Sequence, residues 1–229
     1  MGSLVNVLAI ESATTSCAIA LRLNSGEERE VVLDGGRRHT ETLMPGVQQL
    51  LREHDLKASE LDRVVIDRGP GLYTGLRVGV ATAIGLGLAT RAELVAVTSL
   101  EVLAREALDG GVEGTLVAAV DARRGELFVQ TFSLHSSLMI LGDPVVTTAE
   151  SLVAEWSDGE ESIYLCGDGA ARYEEQFAAL GNTTVLDLVL PSPRVAIEVA
   201  STRGAQETVV PLYLREADAV ANFSTRERP

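Results

Sequence analysis

The chain has 229 residues, 46% hydrophobic and 23% charged, which is enough apolar material for one large domain or two small ones. A formal net charge of -14 repels phosphate backbones, and only Arg37-Arg38 and Arg123-Arg124 form short basic clusters. If the chain works on RNA, another chain is expected to hold the RNA. Its two cysteines, Cys17 and Cys166, sit in no CxxC or Cys/His cluster, which argues against a zinc site or a disulfide framework.

The opening run Leu4 to Ile10 is apolar and predicts a buried strand; it lacks the basic n-region and cleavage site of a signal peptide. Ser16 to Leu23 and Glu27 to Leu33 predict two further strands, with Asn24-Ser25-Gly26 as the hairpin turn. Thr40 to His54 has helical spacing, with Leu43, Val47, Leu50 and Leu51 on one face. A short strand at Arg63 to Ile66 leads through Gly69-Pro70-Gly71 into a long helix from about Thr74 to Thr90. Leu94 to Val97 is a strand and Ser99 to Leu108 a helix. The turn-rich break from Asp109 to Gly114 marks a boundary. Beyond it come strands at Thr115 to Asp121 and Glu126 to Leu134, a helix at Thr148 to Trp156 and a strand at Ser162 to Cys166. A helix ends near Leu180, another spans Val195 to Ser201, and Val209 to Leu214 is extended. The uncharged run Val78 to Thr90 is too short and too glycine-rich to span a bilayer, so a cytoplasmic protein without membrane contact is expected.

The first half opens with VNVLAIESATTSCAIAL and the second with TLVAAVDARRGELFVQT. Each is an apolar strand ending in a carboxylate, Glu11 or Asp121, followed by a turn and another strand. The echo predicts two related α/β lobes.

The glycines of Asp67 to Gly79 precede a helix, where backbone N–H groups can approach an anion. The spacing is neither GxxxxGK[ST] nor GxGxxG, and no lysine follows. Within the helix, Gly75, Gly79 and Ala83 recur every four residues, as do Leu72, Leu76 and Val80, and Arg77 is the only charge. Such a helix is expected to be buried nearly all round, inside its own lobe or partly against a second chain. Glu11 with Ser12, Thr14 and Thr15, and Asp121 in the second half, are candidate contacts for the phosphates of a nucleotide; they serve equally well as turn caps. His39, His54 and His135 are scattered, so no metal site is expected. No GxSxG accompanies them, so Ser-His-Asp catalysis is not expected either.

The segments VLAIESATTSCAIAL, HTETLMPGVQQLL, GPGLYTGLRVGVATAIGLGLA, VDARRGELFVQTF and PLYLR run in order from residue 7 to 215. Together they resemble the TsaB (YeaZ) family, whose TsaD paralog carries the catalytic site. The resemblance implies a two-lobed actin-like (ASKHA) fold, with one lobe at 1–106, a second at 107–207, and 208–229 packing back on the first. It implies a non-catalytic scaffold or activator that binds a TsaD-type transferase during threonylcarbamoylation of adenosine 37 (t6A) of tRNA. A TsaE-type ATPase joins the complex and tRNA is met only indirectly. Ser99 and Leu103 stand where TsaD-type proteins carry an HxxxH metal pair. Leu43, Val47, Leu72, Tyr73, Leu76, Gly79, Val80, Ala83 and Ile84 are the expected partner interface, used also by a homodimer. No cofactor is implied beyond ATP or ADP at a shared interface. Two features depart from the family pattern. Asp67-Arg68 precedes the GPG loop where many members have a small or glycine residue, and is expected to alter the interface rim; Glu11 stands where many members have Asp, which argues against nucleotide contact by the first half. The rival expectations are an ASKHA ATPase, an M22-like glycoprotease, or a stand-alone ligand-binding homodimer.

Overall fold

The structure, a computed structural model, describes residues 5–33 and 39–215. A first sheet begins as an antiparallel meander of β1 (Val7–Glu11), β2 (Cys17–Arg22) and β3 (Glu28–Leu33). Helix α1 (His39–Glu53) returns the chain to β4 (Arg63–Asp67), parallel to β1; α2 (Tyr73–Thr90) then leads to β5 (Glu93–Val97), parallel to β4. The strand order is β3-β2-β1-β4-β5. Helix α3 (Ser99–Asp109) connects to a second sheet of β6 (Gly114–Arg123), β7 (Glu126–Leu134), β8 (Leu138–Ile140) and β9 (Val145–Thr148). After α4 (Ala149–Trp156) come β10 (Ile163–Cys166), α5 (Asp168–Arg172), α6 (Glu174–Ala178) and β11 (Thr183–Val185). Here the order is β11-β10-β6-β7-β8, with β9 also paired to β7. Helix α7 (Pro193–Ala200) closes the series.

The two sheets repeat one plan. An antiparallel hairpin, β1–β2 or β6–β7, is followed by a strand, β4 or β10, parallel to the first. This is the duplicated α/β arrangement that the echo of the two strand-acid-turn-strand segments predicts. The apolar run of β1 is buried on both faces, as expected of a central strand covered by helices. Leu8 and Ile10 pack with α1 and α2, whereas Val7 and Ala9 pack with α7 on the opposite face. In β6, Leu116, Ala118 and Val120 meet α3, while Val117 and Ala119 meet α4 and α5.

Packing does not follow the chain-order boundary at 106/107. Most of the apolar face of α3 (Leu100, Leu103, Ala104, Ala107) lies in the core of the second sheet. The α7 face (Val195, Ala196, Ile197, Ala200), from within 107–207, covers the first sheet. Local spacing reveals an amphipathic helix but not which sheet receives it. The segment after 208 also differs from expectation. Val209 is buried in the first core and the Leu212 N–H donates to the Arg68 carbonyl (2.7 Å). Leu214, however, packs on the second core and Arg215 pairs with Glu126 of β7 (2.6 Å), so the segment bridges both sheets. No strand forms at Val209 to Leu214; residues 216–229 lie outside the described residues.

Candidate partner surface and the acidic strand ends

Helix α2 is apolar on nearly every side, but it is not buried on every side. Gly75, Leu76, Gly79, Val80, Ala83 and Leu86 face the first sheet and are buried. Thr74, Arg77, Ala81, Gly85, Leu88 and Ala89 lie on the open side, and Leu88 is 81% exposed. The small-residue stripe therefore serves the chain's own interior. A Cβ on Gly79 would lie 2.2 Å from Ser12 Oγ and 3.1 Å from Ile66 Cδ1, whereas one on Gly85 would meet nothing within 4 Å.

Six of the nine expected interface residues are consequently core residues. Leu43, Val47, Leu76, Val80 and Ala83 are at most 4% exposed, and Gly79 is buried beneath Ser12. Leu72 and Ile84 are half-buried and Tyr73 is exposed. The available apolar surface is instead Ala81, Gly85 and Leu88 with Ile84 at its edge, and α1 beside it exposes Met44 and Pro45. A helix hydrophobic all round carries no sequence mark of which face turns inward.

At the N-terminal end of α2, Tyr73 stacks on Tyr213 with ring centroids 4.9 Å apart, and the Arg77 guanidinium lies 3.9 Å above the Tyr73 ring. Arg77 also donates to the Tyr213 hydroxyl (3.1 Å) and to the Tyr73 hydroxyl. The PLYLR segment thereby fastens the start of α2.

The glycine-rich loop directs its amides inward. The Gly69 N–H donates to Asp67 Oδ1 (2.8 Å) and the Leu72 N–H to the Ala13 carbonyl (2.6 Å). The loop thus closes over the β1–β2 turn. Among the candidate nucleotide contacts, Glu11 and Thr14 are buried and Thr15 is exposed. Glu11 Oε1 accepts from the Ala13 N–H (2.9 Å), the Thr14 N–H (3.1 Å) and the Thr14 hydroxyl (3.1 Å), so it caps its turn. Asp121 is held by Arg123 (2.9 Å) and Arg172 (3.1 Å), and its N–H donates to Asp168 Oδ1 (2.9 Å). Burial raises the Asp168 pKa.

The group that sequence reasoning misplaced is Asp67. It does not stand at an interface rim; it is buried, at the strand end beside Glu11. The signal was present: β1 (VLAIE) and β4 (RVVID) both end in an acid. Their parallel register pairs Ile10 with Ile66, so the next step sets Glu11 beside Asp67. Burial, and then the Asp67 charge, push the Glu11 pKa well above its usual range; burial raises Asp67 too.

Ser99 and Leu103 are both fully buried: the Ser99 hydroxyl donates to the Pro70 carbonyl (3.0 Å), and Leu103 packs in the second core. Among the described residues, no three His, Cys, Asp or Glu side chains gather as a metal site. His54 lies 3.5 Å from Glu27. No helix among the described residues is long and apolar enough to cross a membrane.

Residues 33–223 match the family model described as TsaD: tRNA N6-adenosine threonylcarbamoyltransferase. The chain is 27% identical to the tRNA threonylcarbamoyladenosine biosynthesis protein TsaB of Haemophilus influenzae, covering 92% of this chain and 94% of that one. It is 31% identical to an uncharacterized protein of Mycobacterium tuberculosis, covering 93% of each. Among solved structures, YeaZ from Pseudomonas aeruginosa superposes with a TM-score of 0.75 at 26% identity, over 92% of this chain and all of that one. A second solved structure, described as an uncharacterized protein with similarity to peptidase YEAZ from Pseudomonas aeruginosa, gives 0.78 at 27% identity, with the same coverage. With its duplicated α/β sheets, its GPG loop leading into α2 and these matches along nearly its whole length, the chain belongs to the TsaD family, in its TsaB (YeaZ) branch.

Proposed function

We propose that the chain is a non-catalytic partner subunit in the biosynthesis of threonylcarbamoyladenosine in tRNA, and that it binds a TsaD-type transferase through the outer face of α2 and the adjoining face of α1. The observation that carries this reading is the exposed apolar face of α2, with Leu88 81% exposed beside Ala81 and Gly85. Contiguous apolar surface of this kind is what a protein partner covers, and small residues let another helix come close. The same face serves a second copy of the chain when the transferase is absent. The non-catalytic role is supported by the fate of the acids. Glu11 caps its own turn and lies beside Asp67, while Asp121 is neutralised by two arginines. Ser99 and Leu103 place a hydroxyl and an isobutyl group where the transferase has imidazoles, and neither activates a metal-bound substrate.

The test is reconstituted tRNA modification with a TsaD-type subunit and the other pathway enzymes, with and without this chain. Product only in its presence is expected, and Gly85→Arg or Leu88→Glu should abolish both product and co-elution with the transferase. Neither change meets an internal neighbour that would unfold the chain. Unaltered binding by both variants would refute the surface; equal product without the chain would refute the role.

A further inference from the structure

We propose that Glu11 and Asp67 form a one-proton latch between the β1–β2 turn and the β4–α2 loop, closed while the pair holds a shared proton and loosened when it is lost. The two side chains are 2% and 1% exposed. Their outer oxygens, Glu11 Oε1 and Asp67 Oδ1, are occupied by backbone donors. Their inner oxygens, Glu11 Oε2 and Asp67 Oδ2, are buried and receive no donor from elsewhere among the described residues. Two ionised carboxylates have only acceptors to offer each other, and at contact in a dry interior they repel strongly. One proton between them turns the same geometry into an O–H···O⁻ hydrogen bond, which is among the strong ones.

The surroundings favour keeping the proton. From α3, Glu101 adds negative charge near Asp67, itself paired with Arg203 (2.6 Å). Thr14 donates to Glu11, while the Ser99 hydroxyl donates to the Pro70 carbonyl (3.0 Å). The inward face of α2 presents Gly75, Leu76 and Gly79; its one guanidinium, Arg77, is turned outward to Tyr73 and Tyr213. β2 sets Ala18 beside Glu11, and β5 sets Val97 beside Asp67. No cation among these groups neutralises the pair.

The latch spans the two segments that seat α2. Ala13 of the first accepts from the Leu72 N–H (2.6 Å), and Ser12 donates to the Gly75 carbonyl (3.0 Å). Loss of the proton therefore strains the inner seat of the helix whose outer face is the proposed partner surface. That last link rests on the proposed function; the stability test below does not.

The sign follows from the raised pKa of Glu11. The unfolded chain releases this proton in the ordinary carboxylate range while the folded chain keeps it, so stability falls as pH rises from that range to the folded pKa. Urea unfolding of the full chain and of Glu11→Gln, from about pH 4 to about pH 9, isolates the pair. The Gln amide supplies the missing donor without a proton to lose. Glu11→Gln should be the more stable at neutral pH, with an unfolding constant lowered about tenfold for each unit of pKa elevation removed. The advantage should vanish at the acidic end. Parallel curves, or an advantage that shrinks as pH rises, would overturn the latch. Should Glu11→Gln fail to fold, Asp67→Asn and the infrared carboxyl band of the unmodified chain decide. A protonated-carboxyl band persisting above the ordinary glutamate range supports the latch, and its loss within that range overturns it.

Discussion

Two glycines six residues apart on α2 should respond to the same substitution with opposite signs. Alanine in place of glycine in a helix interior contributes about 0.8–1 kcal/mol through backbone entropy. At Gly85 nothing opposes this, because an added Cβ meets no atom within 4 Å; Gly85→Ala should stabilise the chain by about 1 kcal/mol. At Gly79 the same methyl would lie 2.2 Å from Ser12 Oγ and 3.1 Å from Ile66 Cδ1. Overpacking of this kind costs about 1–3 kcal/mol. Displacing Ser12 also breaks its buried bond to the Gly75 carbonyl (3.0 Å), adding about 1–3 kcal/mol. Gly79→Ala should therefore lose about 1–5 kcal/mol net, which separates the two variants by at least about 2 kcal/mol. Urea-unfolding midpoints at constant m-value measure this directly. Equal midpoints, or a stabilised Gly79→Ala, would show that α2 does not seat Gly79 against Ser12, and the assignment of inner and outer faces would fall. For the same reason Gly79→Arg is no clean probe of partner binding, since it breaks the fold first.

Further outcomes follow from single sites. Thr98→Ala removes the N-cap of α3, where Thr98 Oγ1 accepts from the Glu101 N–H (3.2 Å) and Glu101 reaches back to the Thr98 N–H (3.1 Å); thermal unfolding should register a loss of about 1 kcal/mol. Burial pushes the Cys17 thiol up to about 11 and the Cys166 thiol up to about 12, so neither should react with a chromogenic disulfide at neutral pH until the chain unfolds; rapid native colour release would contradict their placement. Arg123→Ala should change stability by less than about 1 kcal/mol, because its side chain is 45% exposed and Arg172 still pairs with Asp121; a larger loss in chemical denaturation would assign this turn a heavier structural role.

The local elements were legible because they depend on local patterns. The apolar run ending at Glu11, the hairpin after Asn24, the loop at Gly69 and the helices after it follow from period-two and period-3.6 spacing and turn chemistry. The duplicated strand-acid-turn-strand unit was legible too, because each copy must fold its own central hairpin. The short edge strands β8, β9 and β11 were not, because three or four residues carry too little pattern to distinguish them from loop. Tertiary structure alone decided three further matters. It sent α3 to the second sheet and α7 back to the first, since an amphipathic stripe does not name its receptor. It chose which face of α2 turns inward, since a helix apolar all round offers two apolar faces and the neighbours that select one, such as Ser12 and Ile66 beneath Gly79, are distant in sequence. It also brought Glu11 and Asp67 together: each acid was visible at its strand end, but only the parallel pairing of β1 with β4, set across an intervening hairpin and helix, sets the two buried acids at neighbouring strand ends.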